Sequence, residues 1–314
     1  MLDWTDRFYR RFAREISHHT WLYTEMINTG ALIHGDRERF LKYDECEHPL
    51  ALQLGGSDPA ALAICAKMAG EWGYDEVNLN VGCPSERVQS GSFGACLMLE
   101  PNLVADCVKA MRDATSIDVT VKHRIGIDKV EDYSFVRDFI GHIHEAGCNT
   151  FIVHARNAIL KGLSPKENRD IPPLKYHYVY QLKQEFPQLE IIINGGIATH
   201  DEIATHLQHV DGVMMGREPY HNPWILAEVD ARYYGDDHPV PSRIEVMQNL
   251  RGFIEAELAA GTPLRSIVRH VLGLYQGQNG ARRWRQMLSD AALLKNADFR
   301  LVEAALETVN RRKD

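Results

Sequence analysis

The sequence contains no C-x-x-C pair: its six cysteines, Cys46, Cys65, Cys83, Cys96, Cys107 and Cys148, are scattered through 314 residues. Disulfide-stapled secreted domains are short and dense in cysteine, so reduced thiols are expected here. No apolar run approaches the ~20 residues of a membrane span. The start MLDWTDRFYRR is basic but lacks the apolar stretch of a secretion signal, which places the chain in the cytoplasm. Metal-ligand spacings are missing too. Among 15 histidines, His18-His19 and His142-x-His144 have no further ligands at recognisable intervals, and nothing matches H-E-x-x-H, so no metal is expected. Positive charge is in short supply, with 35 Lys+Arg against 43 Asp+Glu and a net charge of −8, which excludes a protein coated in basic surface. Nor is there a low-complexity segment, or any feature that calls for a stable protein partner.

Charge is nevertheless unevenly placed. Residues 241–314 hold 12 Lys+Arg and 8 Asp+Glu, net +4, whereas residues 1–240 hold 23 and 35, net −12. The two stretches face different partners. The length favours one large domain and a smaller one.

Between residues 20 and 216 short β-branched runs alternate with helical stretches, which predicts seven strands: TWLYTEM (20–26), PLALQLGG (49–56), EVNLNVG (76–82), DVTVKHRIG (118–126), TFIVHAR (150–156), EIIINGG (190–196) and DGVMMGR (211–217). Their near-continuous apolar character suits a parallel sheet covered by helices. Residues 58–72 exemplify the intervening helices: Asp58 caps, Pro59 takes the first helical position, and Leu62, Cys65, Met68, Ala69 and Trp72 form one stripe. Repetition over this length predicts a (β/α)₈ TIM barrel rather than an open sheet. The chain opens on what reads as a first βα loop and helix, so the first strand is expected to be cut short or missing. GDDHPVPS (235–242) reads as a linker. Beyond it Ile244, Met247, Leu250, Ile254 and Leu258 form one helical stripe and Phe299, Val302, Leu306 and Val309 another. The expected domains are thus a barrel over 1–235 and a small helical domain over 242–314.

Barrel chemistry sits where strands end. Gln53, Asn80, Lys122, His154, Asn194 and Gly216-Arg217 all lie at or near such ends. Singly, each is more often a satisfied polar residue; six in parallel positions point to a binding surface. Asn194-Gly195-Gly196 and Gly216-Arg217 end the last two strands, where barrels commonly bind phosphate, and Arg217 can grip one bidentately. A phosphate there implies a cofactor, and Lys122 with Gln53 offers a cation and an amide to a polar ring such as a flavin. Cys83 follows Asn80 in the next loop, ahead of the glycine-rich GSFGACL, which is able to move or close. Its sulfur suits a nucleophile, a metal ligand or a proton donor, whereas Cys65 and Cys107 fall on helix stripes and belong to the core. In the C-terminal stretch, Arg282 and Arg285 flank Trp284 on one helix, with Arg265 and Arg269 nearby. Such a stripe tracks RNA phosphates or simply faces solvent.

Taken together, LYTEM (22–26), ALQLGGSDP (51–59), GYDEVNLNVGCPS (73–85), FGACLM (93–98), VTVKHRIGI (119–127), VHAR (153–156), LSPKENRDIPPL (163–174), INGGI (193–197), DGVMMGR (211–217) and RHVLGLYQGQNGARRWRQ (269–286) resemble the tRNA-dihydrouridine synthases, specifically the A class acting at positions 20 and 20a. The resemblance covers nearly the whole chain in order. It implies an FMN-dependent, NADPH-using reduction of the C5=C6 bond of uridine in tRNA. It implies FMN held by Met1, Gln53, Lys122, His154, Asn194, Gly195, Gly196, Gly216 and Arg217, Cys83 as proton donor, and tRNA contacts from Asn80, Lys166, Arg169, Arg282 and Arg285. The family has an Ala-Pro pair and a strand ahead of the Met-Leu-Asp seen here as Met1-Leu2-Asp3. Two rival readings follow from the same residues: a flavin barrel acting on a free pyrimidine, which has no use for 241–314, and a barrel that binds RNA without catalysis.

Overall fold

A computed structural model describes residues 1–310. Its single sheet holds seven strands in sequential order: β1 (Leu22–Asn28), β2 (Leu50–Gly55), β3 (Glu76–Val81), β4 (Asp118–Arg124), β5 (Thr150–His154), β6 (Glu190–Asn194) and β7 (Gly212–Met214). Each expected strand is present within a few residues of its predicted limits. From β2 to β7 every neighbouring pair is parallel. Parallel neighbours require crossovers, and helices supply them after β2 to β6. This is the strand–helix succession of a TIM barrel, with seven strands among the described residues.

The sequence explains why each layer forms. In Pro59–Glu71 the Asp58 side chain accepts the Ala60 N–H and proline occupies the first turn; Leu62, Cys65, Ala66 and Ala69 are buried. The expected stripe differs at its end. Trp72 is 37 % exposed, because the helix stops at Glu71 and Trp72 lies outside it, and Ala66 takes the inward place. Pro101–Ala114 buries Val104, Cys107, Val108 and Met111, and Tyr133–Glu145 buries Val136, Phe139, Ile140 and Ile143. The spacing of three and four is that of one helix face packed on a sheet. Cys65 and Cys107 are buried, as expected of core residues, and all six cysteines are unpaired.

The chain divides into two compact units, one made of Tyr23–Lys42 and Pro49–Gly216, the other of Met1–Leu22, Tyr43–His48 and Arg217–Asp314. The first holds the sheet and its helices. The second is helical. Within it the buried Arg10 pairs with Glu47 at 2.6 Å, and Arg14 donates to the carbonyls of Ser17, Thr20 and Glu47. Residues 235–242 carry no helix or strand. The first expected C-terminal stripe forms two helices, Arg243–Asn249 and Arg251–Ala259, broken at Leu250. Met247, Leu250 and Ile254 are buried while Ile244 and Leu258 are half-buried.

One strand departs from uniform apolarity. β3 reads Glu76-Val-Asn78-Leu-Asn80-Val, alternating polar and apolar, and Glu76 and Asn78 are buried. Burial pushes the Glu76 carboxyl up to about 7, although hydrogen bonds from Thr120 and Tyr23 oppose the shift. At pH values well below 4.5, folded and unfolded chains both carry this proton and stability is untouched. Between 4.5 and 7 the folded chain keeps a proton that the unfolded chain has lost, so stability falls as pH rises, by about 3 kcal/mol in all. Glu76→Gln removes the titration and is therefore expected to raise the melting temperature at pH 8 by several degrees while changing it little at pH 4. Equal effects at the two pH values count against a buried, titrating Glu76.

Candidate active site

The strand ends bring several of the expected residues together. Lys122, in β4 and in register with Asn80, donates from Nζ to Asn194 Oδ1 at 3.0 Å, and Asn194 Nδ2 donates to the Met214 carbonyl at 2.7 Å. Gln53 is joined to Asn80, whose Nδ2 donates to Gln53 Oε1 at 3.0 Å. Asn80 Oδ1 in turn accepts the backbone N–H groups of Gly82 and Cys83 at 3.1 and 2.9 Å. This bends the chain sharply after β3, as Asn side chains do in Asx-type turns. The Cys83 loop is tied from its other side as well, since Ala95 N–H donates to the Cys83 carbonyl at 2.9 Å. Gly94 makes that approach possible: at φ 76° a Cβ would stand 2.6 Å from the Cys83 oxygen. The thiol itself is half-buried, with Sγ 3.5 Å from Ser85 Oγ.

Electrostatics mark the same place. Burial pushes the Lys122 ammonium down to about 7, and neighbouring Arg124 adds to the effect while Cys83 opposes it. His154 falls well below its usual value, first through burial and then through Arg124, Lys122, Arg156 and Arg169, so its ring is neutral at physiological pH. Four cations thus surround a neutral imidazole. A half-buried lysine held near its half-charged point regains its proton when an anion or electron-rich ring arrives, and the gathering fits such a ligand.

Gly195 and Gly196 have φ 121° and 73°. Their glycine identity is also demanded by packing: a Cβ on Gly195 would lie 2.7 Å from the His154 ring, and one on Gly196 would lie 2.8 Å from Leu174. Gly216 and Arg217 follow β7, and Arg217 precedes the short helix Glu218–His221. Met1 lies in a turn, its carbonyl accepting the N–H groups of Trp4 and Thr5. Lys166 is exposed and Arg169 half-buried at the 3₁₀ turn Glu167–Arg169. On the helix Ala281–Ser289, Arg282 and Arg285 are exposed, and Arg285 donates to Gln276 at 3.1 Å. Trp284 does not share their face. It is fully buried, and its Nε1 donates to the Val271 carbonyl at 3.0 Å, so it packs the helix rather than stacking a base.

Histidines do gather once among the described residues, where His18, Asp230 and His238 offer ligand atoms within 4.8 Å. The two rings are stacked at 4.2 Å and 8°, so their in-plane lone pairs run side by side instead of converging. Asp230 is engaged by Ser17 Oγ and the His18 N–H at 2.5 and 2.6 Å.

Arg124 was not singled out by sequence. Buried at the end of β4, it donates to the carbonyls of Gly82, Asn157 and Asn168 at 3.0, 2.8 and 2.9 Å. One guanidinium fork thereby joins two loops, that of Cys83 and the long one that follows β5. Asn168, also buried, accepts the Ile159 N–H at 2.7 Å and donates to the Ile159 carbonyl at 2.9 Å, closing the loop that carries Lys166.

The family profile of dihydrouridine synthases (Dus) matches residues 1–310. The chain belongs to the dihydrouridine synthase family. The tRNA-dihydrouridine(20/20a) synthase of Pseudomonas aeruginosa is 60% identical over 308 residues, covering 98% of this chain and 92% of that protein. Its namesake from Escherichia coli strain K12 is 58% identical over 310 residues, covering 98% and 90%. Among solved structures, morphinone reductase superposes with a TM-score of 0.53 at 11% identity, covering 73% of this chain and 82% of that one, and this likeness supports the barrel fold. This dihydrouridine synthase family member is an enzyme, and Arg124 belongs to its framework. Arg124→Lys cannot reach three carbonyls from one ammonium. It is expected to lose a few kcal/mol, at about 1–3 kcal/mol for each buried carbonyl left unpaired. A lowered urea midpoint together with faster proteolysis within 157–170 is the outcome to look for; wild-type values in both oppose the assignment.

Proposed function

We propose that the chain reduces the C5=C6 bond of uridine in tRNA to 5,6-dihydrouridine, at positions 20 and 20a, with FMN as cofactor and NADPH as reductant. The observation that carries the reading is the half-buried Lys122 at the strand ends, near further cations, on the strand next to the one whose loop carries a thiol fixed through Asn80. These residues fit FMN. Lys122 is a cation short of an anion, Gln53 and the neutral His154 offer hydrogen bonds to a polar ring, and Asn194, Gly195, Gly196, Gly216 and Arg217 offer amides and a guanidinium to a phosphate. Met1 is assigned to the edge of the ring site. The chemistry that FMN supplies when bound and reduced is hydride delivery to C6 of the uracil.

The protein's own part is to hold the base and to manage the proton. As charge builds on the C5–C4–O4 enolate of the uracil, Cys83 gives its proton to C5. A stacked base cannot present its C5=C6 bond, so the uridine is extruded, at a cost on the order of a few kcal/mol. Phosphate contacts from Lys166, Arg169, Arg282 and Arg285 offset that cost. Asn80 already accepts two N–H groups and donates one, which leaves a single amide N–H for RNA. Residues 1–235 are assigned to catalysis and 242–314 to tRNA contact. Among the described residues no helix is long and apolar enough to cross a membrane, and the cytoplasm is the proposed location.

Cys83→Ala is expected to keep FMN and its reduction by NADPH but to lose most dihydrouridine formation, read by mass spectrometry of digested tRNA. A normal rate of modification removes Cys83 from the mechanism. Replacing Arg282 and Arg285 together by Ala is expected to raise the KM for tRNA and to flatten the salt dependence of binding, each lost phosphate contact reducing the slope by about one. Filter binding at several salt concentrations decides; an unchanged slope with unchanged affinity leaves these arginines facing solvent.

A further inference from the structure

Five side chains on three adjacent strands form an unbroken chain of hydrogen bonds that runs away from the Cys83 loop. Cys83 N–H donates to Asn80 Oδ1 at 2.9 Å, Asn80 Nδ2 to Gln53 Oε1 at 3.0 Å, and Gln53 Nε2 to Asn78 Oδ1 at 2.8 Å. Asn78 Nδ2 donates to Thr120 Oγ1 at 2.8 Å, and the Thr120 hydroxyl donates to Glu76 Oε1 at 2.5 Å. Every donor points the same way. The direction is fixed from the loop end, because the backbone N–H of Cys83 can only donate to the first carboxamide. Each carboxamide along the chain therefore has one orientation, and flipping any of them sets donor against donor or acceptor against acceptor. Asn78 and Thr120 are fully or almost fully buried, so no water stands ready to repair a break. Aligned links of this kind polarise one another.

We infer that Asn78 and Thr120 are positioning residues: anchored on Glu76, they hold the Gln53 and Asn80 carboxamides in the single orientation that presents Gln53 to the cofactor and fixes the Cys83 loop. The inference rests on the proposed roles of Cys83 and Gln53. Neither residue touches the substrate in this scheme; each acts through the next amide in the chain. Thr120→Val cuts the chain with a side chain of nearly equal shape, while Thr120→Ser keeps the hydroxyl.

The test uses the full chain carrying FMN, with the bound-flavin absorption spectrum, kcat and KM for tRNA measured on wild type, Thr120→Val, Thr120→Ser and Cys83→Ala. Thr120→Val is expected to lower kcat roughly tenfold or more, as misplacement of reacting groups does. The KM for tRNA is expected to stay within about twofold, and the visible flavin bands to move because Gln53 has turned. Thr120→Ser is expected to return both the rate and the bands. A valine variant with wild-type kcat and spectrum overturns the inference, and so do serine and valine variants that are equally impaired. If the valine variant is recovered unfolded, Thr120→Ala gives the same comparison. Cys83→Ala separates the two possible failures. An inactive Cys83→Ala beside a fully active Thr120→Val leaves the functional reading standing and sinks the chain's role, whereas a fully active Cys83→Ala overturns the reading and this inference with it.

Discussion

The turn at Asn80 is the joint on which the site depends. A strand that ends at Val81 must release its last backbone donors into a loop, and buried N–H groups left without acceptors are costly. Asn80 Oδ1 takes two of them, so the loop leaves β3 in one direction only. The thiol is placed by this backbone geometry, with its Sγ 3.5 Å from Ser85 Oγ. Arg124 and the Ala95 N–H secure the two sides of the same bend through the carbonyls of Gly82 and Cys83.

A second constraint is electrostatic. The chain carries net negative charge, yet Lys122, Arg124, Arg156 and Arg169 converge around His154. Such a concentration opposes folding unless each cation is held by dipoles or a counter-charge. Arg124 and Arg156 spend their donors on backbone carbonyls, Arg156 on those of Asp170 and Pro172. Lys122 has an amide oxygen instead of a carboxylate and remains closer to neutrality than a lysine elsewhere. Structural stability and readiness for a ligand are thereby separated: arginines serve the first, the lysine serves the second.

The sheet was readable because each strand is a compact apolar run bounded by turn residues, and the placement of Lys122, His154 and Asn194 at or near strand ends followed from where those runs stop. What escaped was the content of β3. EVNLNV reads as a buried strand by its valines and leucine, but its period-two polar residues also announce a buried polar face whose partners Gln53 and Thr120 lie on other strands. Long-range pairing of this sort has no local signature. Arg124 was hidden for a related reason, because its three partner carbonyls come from two loops distant in sequence. Trp284 and Trp72 failed in opposite directions. Helical periodicity says that residues share a face without saying which face is inward, and a large indole can cap a helix end outside as easily as fill a core.

The path of the chain through its two units carries a consequence for biosynthesis. Met1–Leu22 and Tyr43–His48 belong to the same unit as Arg217–Asp314, whereas the sheet-bearing unit interrupts them. On a ribosome the N-terminal helix and the Glu47 turn are made first but meet most of their unit only after the whole sheet has been synthesised. The pairing of Arg10 and Arg14 with Glu47 can form within the first emerging segment, holding its buried charges together during that delay. A truncation just after Gly216 therefore leaves the sheet's sequence intact while removing most of the unit to which the amino terminus belongs, so loss of that late segment is felt at the first residues made.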